Sequence, residues 1–442
     1  MLLDMVRLDE PGGAEAARRL VDALRLDPRS LLRDDEPTRV VRKVLEDVAE
    51  RGDAALVDTI RKFDDPDFDE ADLIASPDDL AAAARRVDAD LMRHLRQAIK
   101  QVRLYQEHIM PPAELPELDR DGVRLGLRYT PLASAGCYVP GGKASYPSSL
   151  IHLAVPAQVA GVGRVVITTP ASRFGQSDLV LAAAHELGIE TLVRCGGPAA
   201  VAALAFGTER VPRVDKIVGP GNTYVQIAKR LVSGGVGVDG FLGPSEVLVY
   251  ADDSADPALV ASDLIAQAEH DPGRCYLLTT DPTLPERVDA ELTKQLARRD
   301  RRDAAERALR NDSAVVVSED EAALLDLAAQ LAPEHLSIQT RDTRQTLSKL
   351  PNSGCAFLGP WSPVAAGDYT AGPSHCLPTN TTARFGGGIS VFEFLKRGGI
   401  VQYGEAGLEH DATAAAMLAD AEGLDGHAAS IRLRLAQARA AR

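Results

Sequence analysis

Apolar residues recur every three or four positions along 14–25, 37–63 and 79–109 with charges between them, so the first third of the chain reads as amphipathic helices. Asp35-Glu36-Pro37 provides a capping acid and a first-turn proline for the second of these. From about residue 127 the period changes. Short β-branched runs at 165–169, 191–195 and 216–218 alternate with helical stretches near 177–188, 198–206 and 222–233. A second alternation follows, with strands expected at 246–251, 275–280, 314–317 and 356–358. Such alternation buries both faces of a parallel sheet, so two open sheets of doubly wound type are expected. The glycine-rich stretch 233–240 separates them. After about residue 390 there remain a strand-like run at 400–403 and two helices, too short for a core of their own and so expected to pack on something else.

Composition narrows this picture. A chain of 442 residues exceeds what one core usually holds, which points to two major domains with smaller appendages. Apolar residues make up 45% but aromatics only 4%, so the core is expected to be aliphatic and helix-rich. A formal charge of −15 argues against nucleic-acid binding, which needs a basic face. Cys137, Cys195, Cys275, Cys355 and Cys376 are odd in number and contain no CxxC, so neither a disulfide framework nor a thiolate zinc site is indicated, and a reducing cytoplasm fits. The start, MLLDMVRLDE, turns acidic before any signal-like apolar run, and no segment reaches membrane-spanning length.

The residues best suited to chemistry are Glu334 and His335, placed by this pattern at the end of an apolar helix. An imidazole with an unperturbed pKa of about 6.5 can take a proton from an alcohol, and an adjacent carboxylate can deprotonate water. By itself the pair is equally a solvated helix end. Gln267 and His270 lie three residues apart on one expected helix over 257–270, so both can face one metal, although the same spacing describes an ordinary helix terminus with a cation near the dipole. Asp368, His375, Glu422 and His427 add oxygen and nitrogen donors in the last third, where five of the nine histidines lie after residue 269. Such a donor set suits zinc or a neighbouring divalent ion. No GxGxxG joins a strand to a helix, so the usual dinucleotide fingerprint is missing. Two glycine-rich turns remain, at 138–142 and 219–222; the second runs from a strand into a helix start that can face a phosphate. Glu269 and His410 read as structural, and Asp271, Glu393 and Glu405 as surface charges.

Gly219-Pro220-Gly221-Asn222, Gly243-Pro244-Ser245-Glu246, Gln267-Ala268-Glu269-His270, Pro333-Glu334-His335, Gly367-Asp368-Tyr369 and the Glu422/His427 tail stand in the order and approximate spacing found in histidinol dehydrogenases. The chain resembles that family from about residue 35 to residue 435. The resemblance implies an α/β fold of two incomplete Rossmann-like open parallel-sheet domains with small helical N- and C-terminal appendages. Implied boundaries are 1–32 for an N-terminal helical appendage, 33–133 plus 243–389 for a discontinuous catalytic domain, 134–242 for the NAD side, and 390–442 for a tail packed on the partner subunit. It implies oxidation of L-histidinol to L-histidine through L-histidinaldehyde with two NAD⁺ and one zinc, in a cytoplasmic homodimer with shared sites. Gln267, His270, Asp368 and His427 would hold zinc, and Glu334 and His335 would move protons. Ser245, His375 and Glu422, together with the zinc ligands and Glu334, would contact substrate; Tyr138 and Asn222 would contact NAD. This chain has Ala199 where relatives place a third nucleotide contact, a Gln. Rival readings are oxidation of another small primary alcohol by the same machinery, a zinc hydrolase using Glu334 and His335 to activate water, and a zinc-dependent binding protein without catalysis.

Overall fold

The valine- and leucine-rich runs of the second alternation form an all-parallel sheet of six strands, in the order Asp4–Arg7, Ala314–Val317, Gly273–Thr279, Ser245–Ala251, His335–Gln339, Cys355–Leu358. The structure is a computed structural model and describes residues 1–142, 144–240, 243–270 and 272–440. Alternate residues of these strands feed two cores, as the period of two requires. Val247, Val249, Cys275, Leu277, Val315 and Val317 pack against the helices Pro257–Ala268, Leu284–Leu296 and Arg302–Asn311. Leu248, Tyr250, Tyr276, Leu278, Val316, Leu336 and Ile338 face the other way, toward Gly13–Leu24 and Glu321–Leu331.

The first alternation forms a five-stranded parallel sheet, ordered Thr191–Val193, Arg164–Thr168, Ser134–Tyr138, Lys216–Val218, Gly237–Val238. Its helix Gly197–Phe206, half of it alanine, is buried on every side from Ala199 to Ala205. The helices Glu36–Arg51 and Asp53–Phe63, which the expected boundaries grouped with 243–389, place Val41, Leu45, Leu56 and Ile60 in this second core. Asp35 caps the first of them by accepting from the Thr38 N–H, and Gly52, at φ 56°, breaks the expected continuous helix in two. All these elements belong to one unit, Met1–Ile109 with Ala133–Phe394.

A second unit comprises Met110–Leu132 and Leu395–Arg442. It holds an antiparallel sheet ordered Leu395–Tyr403, Val123–Pro131, Leu118–Arg120. Its helices Glu405–Ala421 and Asp425–Ala440 pack through Ala416, Ala419, Ala428 and Ile431. Among the described residues, no helix is long and apolar enough to cross a membrane.

The hydrophobic pattern lacks six of the described strands, Leu118–Arg120, Val123–Pro131 and Gly237–Val238 among them, and the other three shape the large sheets. Asp4–Arg7 makes the N-terminal segment an edge strand followed by a helix, so it is not purely helical. Ser134–Tyr138 is the centre of the five-stranded sheet, although Ser-Ala-Gly-Cys-Tyr contains no β-branched residue. His335–Gln339 begins at the histidine expected to end a helix.

Candidate active site

The helix Glu321–Leu331 ends at Ala332, a non-glycine residue in the left-handed region at φ 43°, and the chain then turns through Pro333 and Glu334 into the strand His335–Gln339. The pair thus lies in a helix-to-strand turn at the start of a central strand. Cys355 donates its N–H to the Glu334 carbonyl (3.0 Å) and His335 is in register with Val247, so the main chain of the pair belongs to the sheet.

Both side chains are nearly buried yet line one cavity of about 390 Å³. Glu334 Oε2 accepts from Ser245 Oγ–H (2.6 Å) and the Glu246 N–H (2.8 Å). His335 Nδ1 lies 2.9 Å from the Glu246 carbonyl oxygen, which can only accept, so Nδ1 carries the hydrogen. In the neutral ring this leaves Nε2 as the basic nitrogen. The main chain of one residue, Glu246, therefore orients both members of the pair. Burial pushes the Glu334 carboxyl up, but His335, the Ser245 hydroxyl and the Glu246 N–H outweigh it and hold the group below the usual carboxylate range. Burial pushes the His335 imidazole down, but the Glu334 charge and hydrogen bond, with Asp368 and the Glu246 carbonyl, raise it above its ordinary value. Each member of the pair thus favours the charged form of the other.

The cavity lies where the two sheets of the first unit meet. Pro140, Pro220, Gly221 and Asn222 follow the carboxyl ends of strands in the five-stranded sheet, the usual ligand edge of an open α/β sheet. Ser245, Pro272 and His335 come from the amino ends of strands in the six-stranded sheet. His270, Asp368 and His375 also line it. Asp368 follows the short 3-10 turn Val364–Ala366, which the buried Asp263 ties down by accepting from the Val364 N–H (3.2 Å) and from Ser337 Oγ–H (3.2 Å). His375 Nδ1–H donates to the Asp368 carbonyl (3.1 Å), and its Nε2 accepts from Ser149 Oγ–H (3.0 Å). Burial pushes His375 below its ordinary value, despite the opposing influence of Asp368.

Other expected residues are placed differently. Gln267 is buried on the helix Pro257–Ala268, three positions before His270, and its Nε2 has no hydrogen-bond partner. Amide orientation is assigned from partners, so this end can be turned to present Oε1, a hard donor that suits a divalent cation. Tyr138 is buried and its hydroxyl accepts from the Gly197 N–H (3.1 Å); Asn222 lines the cavity and caps Thr223–Val232 by accepting from the Val225 N–H (3.1 Å). Ala199 is wholly buried in Gly197–Phe206. Glu422 and His427 are exposed and belong to the second unit, and the cavity is lined by the first unit alone. Among the described residues, no group of three or more His, Cys, Asp or Glu converges as a metal site. Asp271 lies outside the described residues. Glu393, read as a surface charge, pairs with Lys216 and is partly buried.

Sequence reasoning missed Ser149 and the Glu246 peptide. Ser149 carried no signal, whereas Glu246 sat inside a recognised motif without a role.

Two open parallel sheets meeting at a cavity with a caged carboxylate–imidazole pair give the class: an α/β protein with a candidate proton-transfer site. Comparison with known proteins makes this specific. The family model for histidinol dehydrogenase matches residues 28–435. The chain is 44% identical over 434 residues to a histidinol dehydrogenase of Gluconobacter oxydans (strain 621H), covering 98% of this chain and 99% of that one. It is 44% identical over 396 residues to one from a Synechococcus strain, covering 89% and 91%. The crystal structure of histidinol dehydrogenase from Elizabethkingia anophelis matches with a TM-score of 0.92 at 30% identity, covering 99% of this chain and 98% of that one. The chain belongs to the histidinol dehydrogenase family and is an oxidoreductase.

Proposed function

We propose that the protein oxidises L-histidinol to L-histidine through L-histidinaldehyde, in histidine biosynthesis in the cytoplasm, with two NAD⁺ and a bound zinc. The observation that carries this reading is the tautomer of His335: with Nδ1–H committed to the Glu246 carbonyl, Nε2 is left to accept a substrate proton. His335 first sheds the proton that Glu334 favours, then takes the alcohol hydroxyl proton while the carbon-bound hydrogen leaves as hydride. As water adds to the aldehyde carbon, Glu334 removes one of its protons and His335 gives the proton it holds to the aldehyde oxygen, which frees its Nε2 again. His335 finally takes a proton from the hydrate as the second hydride departs. NAD⁺, when bound, would supply the hydride acceptor, and the cavity-lining Pro220, Gly221 and Asn222 support a contact with it from the 219–222 turn. Ser245 serves the pair first by donating to Glu334, and Ser149 and His375 make a polar wall for an imidazole-bearing substrate.

The orphaned buried amide of Gln267 and the cavity-facing His270 and Asp368 fit a hard-donor cation. Zinc, when bound, would orient substrate nitrogens and supply positive charge. The fourth ligand, His427, is proposed to come from the tail of a second copy.

Counting cofactor tests the reaction directly. Two NADH per histidine formed are expected; hydrolysis without NADH, or a reaction stopping at one, would refute four-electron oxidation. Metal dependence is the companion expectation. Chelation should abolish activity, zinc should restore it, and His270→Ala should behave as chelated enzyme with zinc content lowered by metal analysis. Full activity in metal-free protein would reject the zinc site.

A further inference from the structure

The turn Gly219–Asn222 rests on an ion pair that neither the proton-transfer pair nor the metal set uses. Lys229 has no exposed surface, and its ammonium pairs with Asp239, whose side chain is 2% exposed. Lysine is almost never buried so completely unless a partner offsets the loss of hydration. These two side chains also grip one residue from both sides. Lys229 Nζ donates to the Gly219 carbonyl (3.0 Å), and the Gly219 N–H donates to Asp239 Oδ2 (2.7 Å).

Gly219 needs such a restraint. It has φ 121°, and a Cβ there would stand 2.2 Å from the Tyr138 carbonyl oxygen, so only glycine fits. Glycine, however, leaves the chain free to take many paths out of the strand Lys216–Val218. Pro220, Gly221 and Asn222 then run directly along the cavity wall. Lys229 projects from Thr223–Val232, the helix that Asn222 caps, so the helix and the segment after Gly237–Val238 jointly fix the turn between them.

We propose that Lys229 and Asp239 are positioning residues for dinucleotide binding, holding the 219–222 turn in its receiving shape before the nucleotide arrives. The proposal rests on the reading that this turn meets NAD. A turn already ordered loses less conformational freedom on binding, and releasing two glycines and their neighbours is expected to weaken affinity about tenfold.

The test uses intact, zinc-loaded enzyme. Lys229→Met/Asp239→Leu replaces the pair with apolar side chains of similar size, a change that buried ion pairs commonly tolerate. The NADH dissociation constant, read by fluorescence titration, and KM for NAD⁺ should each rise about tenfold. KM for histidinol and kcat at saturation should stay within about twofold, since Glu334, His335 and the metal ligands are on other segments. Lys229→Met/Asp239→Asn restores an acceptor for the Gly219 N–H and should recover part of the loss. Unchanged NADH affinity in the folded double variant, or an equal rise in KM for histidinol, would overturn the proposal. A measurement on wild type needs no variant to fold: without nucleotide, the Gly219 amide should exchange with solvent far more slowly than an open turn, and exchange at the open-turn rate refutes the staple. If wild type itself binds no NADH, the nucleotide reading falls and takes this proposal with it; normal wild-type binding with unchanged variants removes the staple alone.

Discussion

Glu334→Gln is expected to cut oxidation of histidinaldehyde by about 10²–10³-fold while slowing oxidation of histidinol far less. The asymmetry follows from the cage. A glutamine keeps an oxygen to accept from Ser245 Oγ–H and the Glu246 N–H, so the turn and the His335 tautomer survive and only the basic oxygen is lost. Water is consumed in the aldehyde step alone, whereas a base for a hydroxyl proton is needed in both. His335→Ala should therefore slow both half-reactions. The Glu334→Gln variant also has a pH signature. Because the base works only after losing its proton, and Glu334 raises His335 above its ordinary value, kcat/KM for histidinol should rise with pH through a midpoint above about 6.5. Removing the carboxylate should move that midpoint down. Equal losses in the two half-reactions would reject the division of labour, and an unmoved midpoint would show that Glu334 does not hold the proton.

Mixing two inactive parents is expected to restore about one quarter of wild-type sites. Glu422 and His427 are exposed on a tail unit whose own core is little more than Ala416, Ala419, Ala428 and Ile431, while Met417, Leu418, Leu424 and Leu433 are exposed. His270 and Asp368 lack the further ligand a zinc site needs, and we propose that a two-fold dimer exchanges tails to provide it. In a heterodimer of His335→Ala and His427→Ala chains, one site then collects both defects and the other none. Random reassortment makes half the dimers heterodimers, and half their sites are intact. Activity per site after unfolding and reassembly is the readout. If each tail serves its own chain, every site keeps a defect and activity stays at parental level.

The motifs single out Ser245, His270, Glu334, His335, Asp368 and His375, which line one cavity, because these residues are chemically distinctive and stand in a family's order. What they contact was not legible. Ser245 Oγ–H donates to Glu334, and the Tyr138 hydroxyl accepts from the Gly197 N–H. Such pairings join residues far apart in the chain, and no local pattern encodes them. The fold shows the same division. Alternating apolar runs announced two parallel sheets because a strand buried on both faces must be apolar throughout. Ser134–Tyr138 and His335–Gln339 carry no such mark, since their central places in the sheets, not their propensities, make them strands.

By itself the sequence determined the α/β class and the two sheets and supplied the candidate reactive groups, for these depend on periodicity and residue chemistry. Tertiary structure alone decided that the main chain of Glu246 orients Glu334 and His335, and that a buried Lys229–Asp239 pair holds the turn at Gly219. A main-chain N–H or carbonyl is the same group in every residue. Only the path of the folded chain can assign it a catalytic neighbour.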